Sequence, residues 1–280
     1  MTADQLLRDP ALWQGCVDMY NKDKTGPFAG MSTATAFSSL EKIAPSLPDQ
    51  QTVLKLIDQN PAPTKAIQAQ YDLYRAQIAD KGESVVQLIV TPVGVNTDHT
   101  ESAKTWLLHD FDFNMISFSF NISHPFSRGS THATTKDARD QPRIDPQYFA
   151  HPADLEIAGH AILHAQKLAC TPPLSSTMKD GPDGTKLPSP QMKWCKDIEE
   201  AKELAQQCCF TIWHPSASCA MLPKDQGGVV DTDLKVYGTK GLRVCDASIF
   251  PIMPHGNITS LVYVCAEKLA DSIKAEYGFA

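Results

Sequence analysis

The spacing of hydrophobic positions divides the chain into helical and extended segments. Residues 64–79 (TKAIQAQYDLYRAQIA) follow a proline and repeat apolar side chains every three to four positions, which predicts an amphipathic helix. Residues 84–93 and 114–122 are rich in β-branched and aromatic side chains, and the second segment alternates polar with apolar positions, so both predict strands. Residues 151–168 predict another helix, because Pro152 and acidic side chains occupy its first turn.

The remaining N-terminal and central segments give weaker patterns. A short helix is expected over residues 3–19, and the Gly/Ser/Thr-rich residues 25–40 are expected to be irregular. Residues 124–130 predict a turn that leads into another short strand. Residues 171–190 contain many Pro, Gly and Ser, which predicts a long loop of the kind that is usually functional or mobile.

The last seventy residues carry the densest pattern. Residues 242–245 (LRVC) follow a glycine and predict a short apolar strand, and residues 246–248 predict a turn. Residues 258–277 predict a long, mostly apolar helix that is entered through Gly256 and Asn257. Together with the upstream elements, this pattern predicts an α+β fold in which helices surround an antiparallel sheet.

Composition is typical of a water-soluble globular protein. The chain has 280 residues, 42% apolar and 20% charged, and its mean hydropathy is −0.25. No apolar run reaches the roughly 18 residues that cross a bilayer, so we expect no membrane partner. The net charge is −7 and basic residues form no block, which argues against nucleic-acid binding. The N-terminus lacks the pattern of a secretory signal, so the compartment is open and cytoplasmic by default.

The eight cysteines are scattered without a C-x-x-C pair, and none is grouped with histidines at zinc-like spacing, so we expect no metal site. Cys170 and Cys195 lie on either side of a Pro/Gly/Ser-rich loop and could form a disulfide in an oxidising compartment. Cys219, Cys245 and Cys265 lie in apolar stretches and are expected to be small buried residues.

Residues 212–221 (IWHPSASCAM) place one histidine among small and apolar side chains. A histidine in such a setting is often a structural residue with its hydrogen bonds satisfied. Two features favour a functional role for His214: Pro215 fixes the backbone behind it, and residues 216–218 are small and leave room beside the ring. That room would suit a substrate or a ring-shaped cofactor.

Residues 254–259 (PHGNIT) form a second candidate site just before the C-terminal helix. Asn257 lies where a helix N-cap is expected, and one interpretation is that it only caps the helix. The other is that the exposed amides of the helix start face an electron-rich or anionic ligand, which Gly256 lets the backbone approach.

These two segments belong to a longer series of motifs that resembles the glucose-methanol-choline (GMC) flavin oxidoreductases. Upstream of the His214 segment, residues 127–130 (SRGS) and 142–146 (PRIDP) are also similar to motifs of this family. Within the family, the C-terminal tail most resembles fungal secondary-metabolite members of the versicolorin B synthase type. The C-terminal motifs occur in order at residues 214–221 (HPSASCAM), 229–231 (VVD), 236–248 (VYGTKGLRVCDAS), 256–257 (GN) and 266–271 (AEKLAD).

The resemblance implies FAD as the cofactor and assigns roles to individual positions. His214 would be the catalytic histidine beside the flavin, and Asn257 would fill the second catalytic position. Cofactor contacts would come from Asp246 and Ala247 at the ribityl chain and pyrophosphate, and from Gly256, Ile258 and Thr259 near the ring. His255 lies outside the catalytic position and is expected to be structural.

The resemblance also implies a domain organisation. Residues 1–210 would be part of a substrate-binding domain, and residues 211–280 would complete an FAD-binding α/β domain. None of the 15 glycines forms the G-x-G-x-x-G turn that grips the adenine end of FAD in this family. We therefore expect the chain to correspond to the C-terminal half of such an enzyme, without its N-terminal Rossmann part.

The implied reaction is oxidation of a small or polyketide-like alcohol in fungal secondary metabolism. His214 would take the hydroxyl proton, and Asn257 would hold the substrate oxygen. Two alternatives stay open at this point. The pocket could catalyse ring closure or lyase chemistry without net oxidation, or the chain could be an inactive fragment or a subunit that needs a separate FAD-binding chain.

Overall fold

The computed structural model describes residues 2–30, 33–97, 112–182 and 184–278. Within these ranges, eight α-helices and five β-strands form a mixed fold of helices and antiparallel strands, as the sequence predicts. The elements, in chain order, are α1 (Ala3–Arg8), α2 (Pro10–Asp23), β1 (Ala34–Ser38), α3 (Leu40–Ile43), α4 (Leu47–Gln59), α5 (Lys65–Ala79), β2 (Val86–Thr91), β3 (Ser117–Ile122), β4 (Ser130–His132), β5 (Arg143–Asp145), α6 (Pro152–Ala169), α7 (Ile198–Cys208) and α8 (Thr259–Tyr277).

The chain divides into two compact units, and each unit is built from three separate segments. The first unit comprises Met1–Pro45, Val86–Asn121 and Leu155–Phe210. The second comprises Ser46–Val85, Ile122–Asp154 and Thr211–Ala280. The predicted roles of residues 1–210 in substrate binding and of residues 211–280 in completing an FAD domain stay predictions.

The first unit contains a three-stranded sheet in the order β1-β2-β3. β1 and β2 pair antiparallel from Ala34 opposite Val90 to Ser38 opposite Val86. The buried carboxylate of Asp4 in α1 accepts hydrogen bonds from the amides of Gly94 (2.8 Å) and Met115 (2.9 Å), which connects α1 to the segments that flank β2 and β3.

The same unit holds a buried ionic group between two helices. Glu156 and His160 in α6 are both largely buried, and Lys202 in α7 donates to Glu156 at 2.7 Å. The neighbouring His160 imidazole, at 3.5 Å, and the Lys202 ammonium hold the pKa of the Glu156 carboxyl below its usual range. The paired charges therefore fix the packing of α7 on α6.

Several elements differ from the prediction. The single helix expected over residues 3–19 is interrupted, because Asp9 caps a new helix by accepting from the amide of Leu12 (3.0 Å) and Pro10 occupies its first turn. Residues 25–40 are not wholly irregular, since they contain β1, whose small Ala and Thr residues gave little hydrophobic signal. α4 and α7 were not predicted, and each begins at a polar cap, Ser46 or Asp197.

Three predictions in cysteine-bearing segments are also corrected. Residues 242–245 form no strand but a single antiparallel bridge between Arg243 and Lys235. Cys170 and Cys195 are free thiols, the first exposed and the second buried, so no disulfide joins them. Cys219, Cys245 and Cys265 are half-buried rather than buried.

None of the helices in the described ranges has the length and apolar character needed to cross a membrane. Among the same residues, no three His, Cys, Asp or Glu side chains gather in a group that could hold a metal ion.

Candidate active site

The segment that carries His214 runs beside the turn that follows Asp246. Within the second unit, the amide of Cys219 donates to the carbonyl of Ser248 (3.0 Å), and the amide of Met221 donates to the carbonyl of Ile249 (2.8 Å). His214 is half-buried and makes no hydrogen bond to another described residue. Its imidazole nitrogens are therefore available to a ligand.

A small apolar core holds these two segments in place. Val230, Leu234 and Ile249 are buried at its centre. Partly buried side chains from the neighbouring segments and from α8 pack around them: Met221, Val229, Val236, Val244, Cys245, Phe250, Cys265 and Leu269. This packing attaches α8 to the turn after Asp246.

Gly228 marks a close backbone crossing in this core. A Cβ atom at this position would lie 1.8 Å from the carbonyl oxygen of Leu222, well inside van der Waals contact. The amide of Gly228 donates to the carbonyl of Pro223 at 3.1 Å. Only glycine fits the crossing, which brings residues 229–230 beside Ala220.

The turn at residues 246–249 combines a carboxylate with a hydroxyl that lacks a partner. Asp246 Oδ1 accepts from the amide of Ser248 at 2.8 Å and so caps the 3₁₀ turn Ala247–Ile249. The Asp246 side chain is otherwise exposed, and Ala247 is half-buried. Ser248 Oγ is buried without a hydrogen-bond partner among the described residues. A ligand with hydroxyl or phosphate oxygens would satisfy it.

The start of α8 corrects the N-cap interpretation of Asn257. The helix begins at Thr259 and its cap residue is Ile258, which is buried and in helical geometry, with no side-chain hydrogen bond to the first turn. Asn257 is exposed and makes no hydrogen bond to another described residue. The carboxamide is thus not used by the helix, and the amides of the first turn keep their partial positive charge uncapped.

The loop before α8 is anchored, within the second unit, to α5 and to the segments that carry Ser84 and His124. The amide of Met253 donates to Tyr74 Oη at 3.0 Å. His255 Nε2 lies 3.2 Å from His124 Nε2 and 3.3 Å from the carbonyl oxygen of Ser84. His255, which the sequence analysis expected to be structural, therefore fixes this loop in the structure. Its contacts hold the backbone two residues before Asn257.

His124 is nearly fully buried and stacks on the ring of Tyr74, with 4.9 Å between ring centroids. Burial lowers the pKa of His124 to about 4, and the neighbouring His255 adds to the shift. The imidazole of His124 is consequently neutral over most of the physiological range.

The turn that follows His124 is held by a buried carboxylate. Asp154, at the start of α6, accepts from the amides of Phe126 (2.9 Å) and Ser127 (2.7 Å) and from Ser127 Oγ (2.6 Å). The hydroxyl of Tyr71 donates to the carbonyl of Phe126 at 2.6 Å. The SRGS motif at residues 127–130 therefore begins in a turn. Three hydrogen bonds to the Asp154 carboxylate hold this turn.

The structure places all the sequence-predicted site residues in the second unit. Asp246 and Ala247 come just before Ser248 and Ile249, whose carbonyls accept from the amides of Cys219 and Met221 in the His214 segment. Gly256, Ile258 and Thr259 lie at the start of α8. No motif in the sequence indicates the contribution of His124 and Tyr74, which anchor the loop before α8. These features fit FAD. Its ribityl and phosphate oxygens could bond the Ser248 hydroxyl, which has no partner among the described residues, beside the small side chain of Ala247. Its electron-rich ring could face the start of α8, which no side chain caps.

Comparison with known proteins agrees with this description. Residues 125–266 match a sequence model of the GMC oxidoreductase family. Dehydrogenase mpl7 of Monascus purpureus is 27% identical over 290 residues, which cover 100% of this chain and 45% of that protein. The GMC oxidoreductase family protein Mala s 12 of Malassezia sympodialis is 39% identical over 167 residues, which cover 60% of this chain and 26% of that protein.

A solved structure supports the fold. The FAD-dependent oxidoreductase from Chaetomium thermophilum superposes with a TM-score of 0.77 and 22% identity, covering 100% of this chain and 45% of that one. The chain thus spans less than half the length of these relatives. The family match covers the segments of His214, Asp246 and Asn257 together. The chain belongs to the GMC oxidoreductase family.

Proposed function

We propose that this chain forms the catalytic side of an enzyme that oxidises an alcohol with FAD, with His214 as the proton acceptor. The observation that carries the proposal is the hydrogen-bonded pairing of residues 219–221 with residues 248–249. This pairing brings the His214 segment to the turn that is proposed to hold the cofactor, inside the stretch that the family model matches.

The residues proposed to hold FAD divide into two groups. Asp246, Ala247 and Ser248 would contact the ribityl chain and pyrophosphate, because they offer a carboxylate, little side-chain bulk and an unpartnered hydroxyl. The backbone of Gly256, Ile258 and Thr259 would approach the ring system, where the uncapped helix start favours negative charge. When bound, FAD supplies the hydride acceptor for the reaction.

His214 is suited to accept the hydroxyl proton of the substrate. Its ring is half-buried, so it is partly shielded from water, and it is not engaged by another described residue. A positioned general base of this kind typically contributes about 10²- to 10⁴-fold to the rate. The small residues 216–218 leave space for the substrate beside the ring.

The proposed substrate is a small or polyketide-like alcohol of fungal secondary metabolism. Support comes from the relatives, which include fungal proteins described as dehydrogenases and as an oxidoreductase. The resemblance to members of the versicolorin B synthase type stays a prediction.

The proposal is tested with the purified protein carrying FAD. We expect the visible absorbance of the flavin to bleach when primary and secondary alcohols of increasing size are added anaerobically. Return of the absorbance on admission of oxygen would identify an oxidase, and return only with an artificial acceptor would identify a dehydrogenase. If the flavin stays oxidised with every alcohol while a substrate is cyclised or cleaved, the redox proposal is wrong.

Replacing Asn257 with alanine should slow flavin reduction by about fivefold, since one hydrogen bond to the substrate oxygen is worth roughly 1 kcal/mol. Thermal stability should stay within about 0.5 kcal/mol of the parent, because the carboxamide does not cap α8. The measurement is anaerobic stopped-flow reduction together with a thermal melt. Asn21→Ala, an exposed position in α2, is the matched control. An unchanged reduction rate in Asn257→Ala would argue against contact with the substrate.

A further inference from the structure

The loop at residues 253–257 has two points of attachment within the second unit. The first is the hydrogen bond from the Met253 amide to Tyr74 Oη. The second is the imidazole of His255, whose Nε2 meets both His124 Nε2 and the carbonyl of Ser84. Both attachments involve the same aromatic stack, because Tyr74 and His124 pack face to face. The loop ends at Asn257, so these contacts set where the carboxamide lies.

Only one proton can lie between the two Nε2 atoms of His124 and His255. Their Nε2 atoms are 3.2 Å apart, a hydrogen-bond distance, so one nitrogen must donate and the other must accept. If both rings were protonated, two N–H groups and two positive charges would face each other across this distance. The contact is therefore stable with at most one charged ring.

The surroundings decide which ring takes that proton. The His255 side chain is 36% exposed and its Nε2 lies 3.7 Å from the carboxylate of Glu83, so a proton on His255 is hydrated and paired. His124 is 2% exposed, and no carboxylate of the described residues lies at hydrogen-bond distance from its ring. The Arg128 guanidinium lies 5.6 Å from the centroid of the Tyr74 ring that stacks on His124. Asp154 accepts from the amides of the turn after His124, and burial raises the pKa of its carboxyl. Hence His124 is the ring that stays neutral and acts as the acceptor.

We propose that His124 and His255 act as a latch that positions the Asn257 loop and that opens when both rings are protonated. We call this pair the His124–His255 latch. His124 and His255 are positioning residues, since they act on the substrate only through the loop. The expected effect of the latch on flavin reduction rests on the proposed role of Asn257. The contact between His124 and His255 does not depend on that role.

The pH at which the latch opens follows from the burial of His124. Its pKa in the folded protein is about 4, below the ordinary value of about 6.5. The unfolded chain binds this proton at the higher pH, so stability is full above pH 6.5 and falls as the pH drops towards 4. At about pH 4 the folded protein also takes up the proton, and the loop separates from His124.

The latch can be measured in the protein without reference to turnover. Ring NMR of the nine histidines should show that the His124 ring titrates near pH 4, below the ordinary pKa of about 6.5. Amide hydrogen exchange should show Met253 protected near neutral pH, with its protection factor falling at least tenfold around pH 4. The amide of Val236 donates to the carbonyl of Leu242 at 3.0 Å in the same unit, and it should keep its protection.

Two variants separate the latch from general destabilisation. His255→Ala should lower the protection of Met253 at least tenfold at neutral pH, while Val236 stays protected. His255→Gln keeps a donor without a titratable ring, so its loop should stay protected at both pH values. The latch is wrong if His124 titrates near the ordinary value, or if His255→Ala leaves Met253 as protected as in the parent.

The same variants distinguish failure of the latch from failure of the proposed function. If His255→Ala releases the loop but flavin reduction keeps the parent rate, the latch is supported and the role of Asn257 in catalysis is refuted. If the loop is not released, the latch is refuted whatever the rate of reduction.

Discussion

Replacing His214 with alanine should lower the rate constant of flavin reduction by at least about 100-fold. The imidazole is proposed to take the substrate proton as the hydride leaves, and alanine offers no acceptor in its place. The FAD content and the melting temperature should stay close to those of the parent, because His214 makes no hydrogen bond to another described residue. Anaerobic stopped-flow spectrophotometry of the FAD-loaded protein measures the effect.

The matched control for this variant is His132→Ala. His132 is exposed in β4 and its loss should leave the reduction rate unchanged. If the rate constant of flavin reduction in His214→Ala fell by no more than about threefold, the decrease would be too small for the loss of a general base. In that case another group accepts the proton, and the assignment of His214 fails.

Replacing Asp154 with alanine should destabilise the second unit by about 4 kcal/mol, because two buried backbone amides and one hydroxyl lose their acceptor. This is a large share of the 5–15 kcal/mol that typically separates folded from unfolded protein. Chemical denaturation monitored by circular dichroism measures the loss. Asp154→Asn keeps one acceptor oxygen and should lose less.

Asp225→Ala is the control for this second effect. Asp225 is exposed in the same unit and makes no hydrogen bond to another described residue, so its loss should change stability by less than about 0.5 kcal/mol. Equal stability of Asp154→Ala and Asp225→Ala would contradict the view that the carboxylate of Asp154 holds the turn after His124.

The sequence predicts well those elements whose signals are local. The helix expected over residues 64–79 is observed as α5, with Thr64 as the cap that accepts from the amide of Ile67. β2 and β3 lie within the strands expected at residues 84–93 and 114–122, because their side chains carry a strong hydrophobic pattern. α8 begins one residue later than expected.

Elements that depend on distant partners are predicted less well. β1 is stabilised by pairing with β2, some fifty positions later, and its own sequence has little strand character. Residues 242–245 look like a strand in isolation, yet the chain opposite them supplies only one bridge.

The candidate site shows the same division. Motifs in the sequence indicate His214, Asp246 and Asn257, because family members share these local patterns. The partner of His255 lies 131 positions away, and only the fold reveals that His124 and Tyr74 hold the loop before Asn257. The interpretation that Asn257 only caps the helix fails, because the residue in the cap position is Ile258 and the helix begins at Thr259.

The most direct test of the central claim is a crystal structure of the FAD-loaded protein with an unreactive alcohol analogue. The account predicts that a His214 ring nitrogen and the Asn257 carboxamide both lie within hydrogen-bond reach, about 2.6–3.2 Å, of the hydroxyl oxygen of the analogue at the flavin ring. An analogue bound at the ring with neither side chain in reach of its hydroxyl group would contradict it.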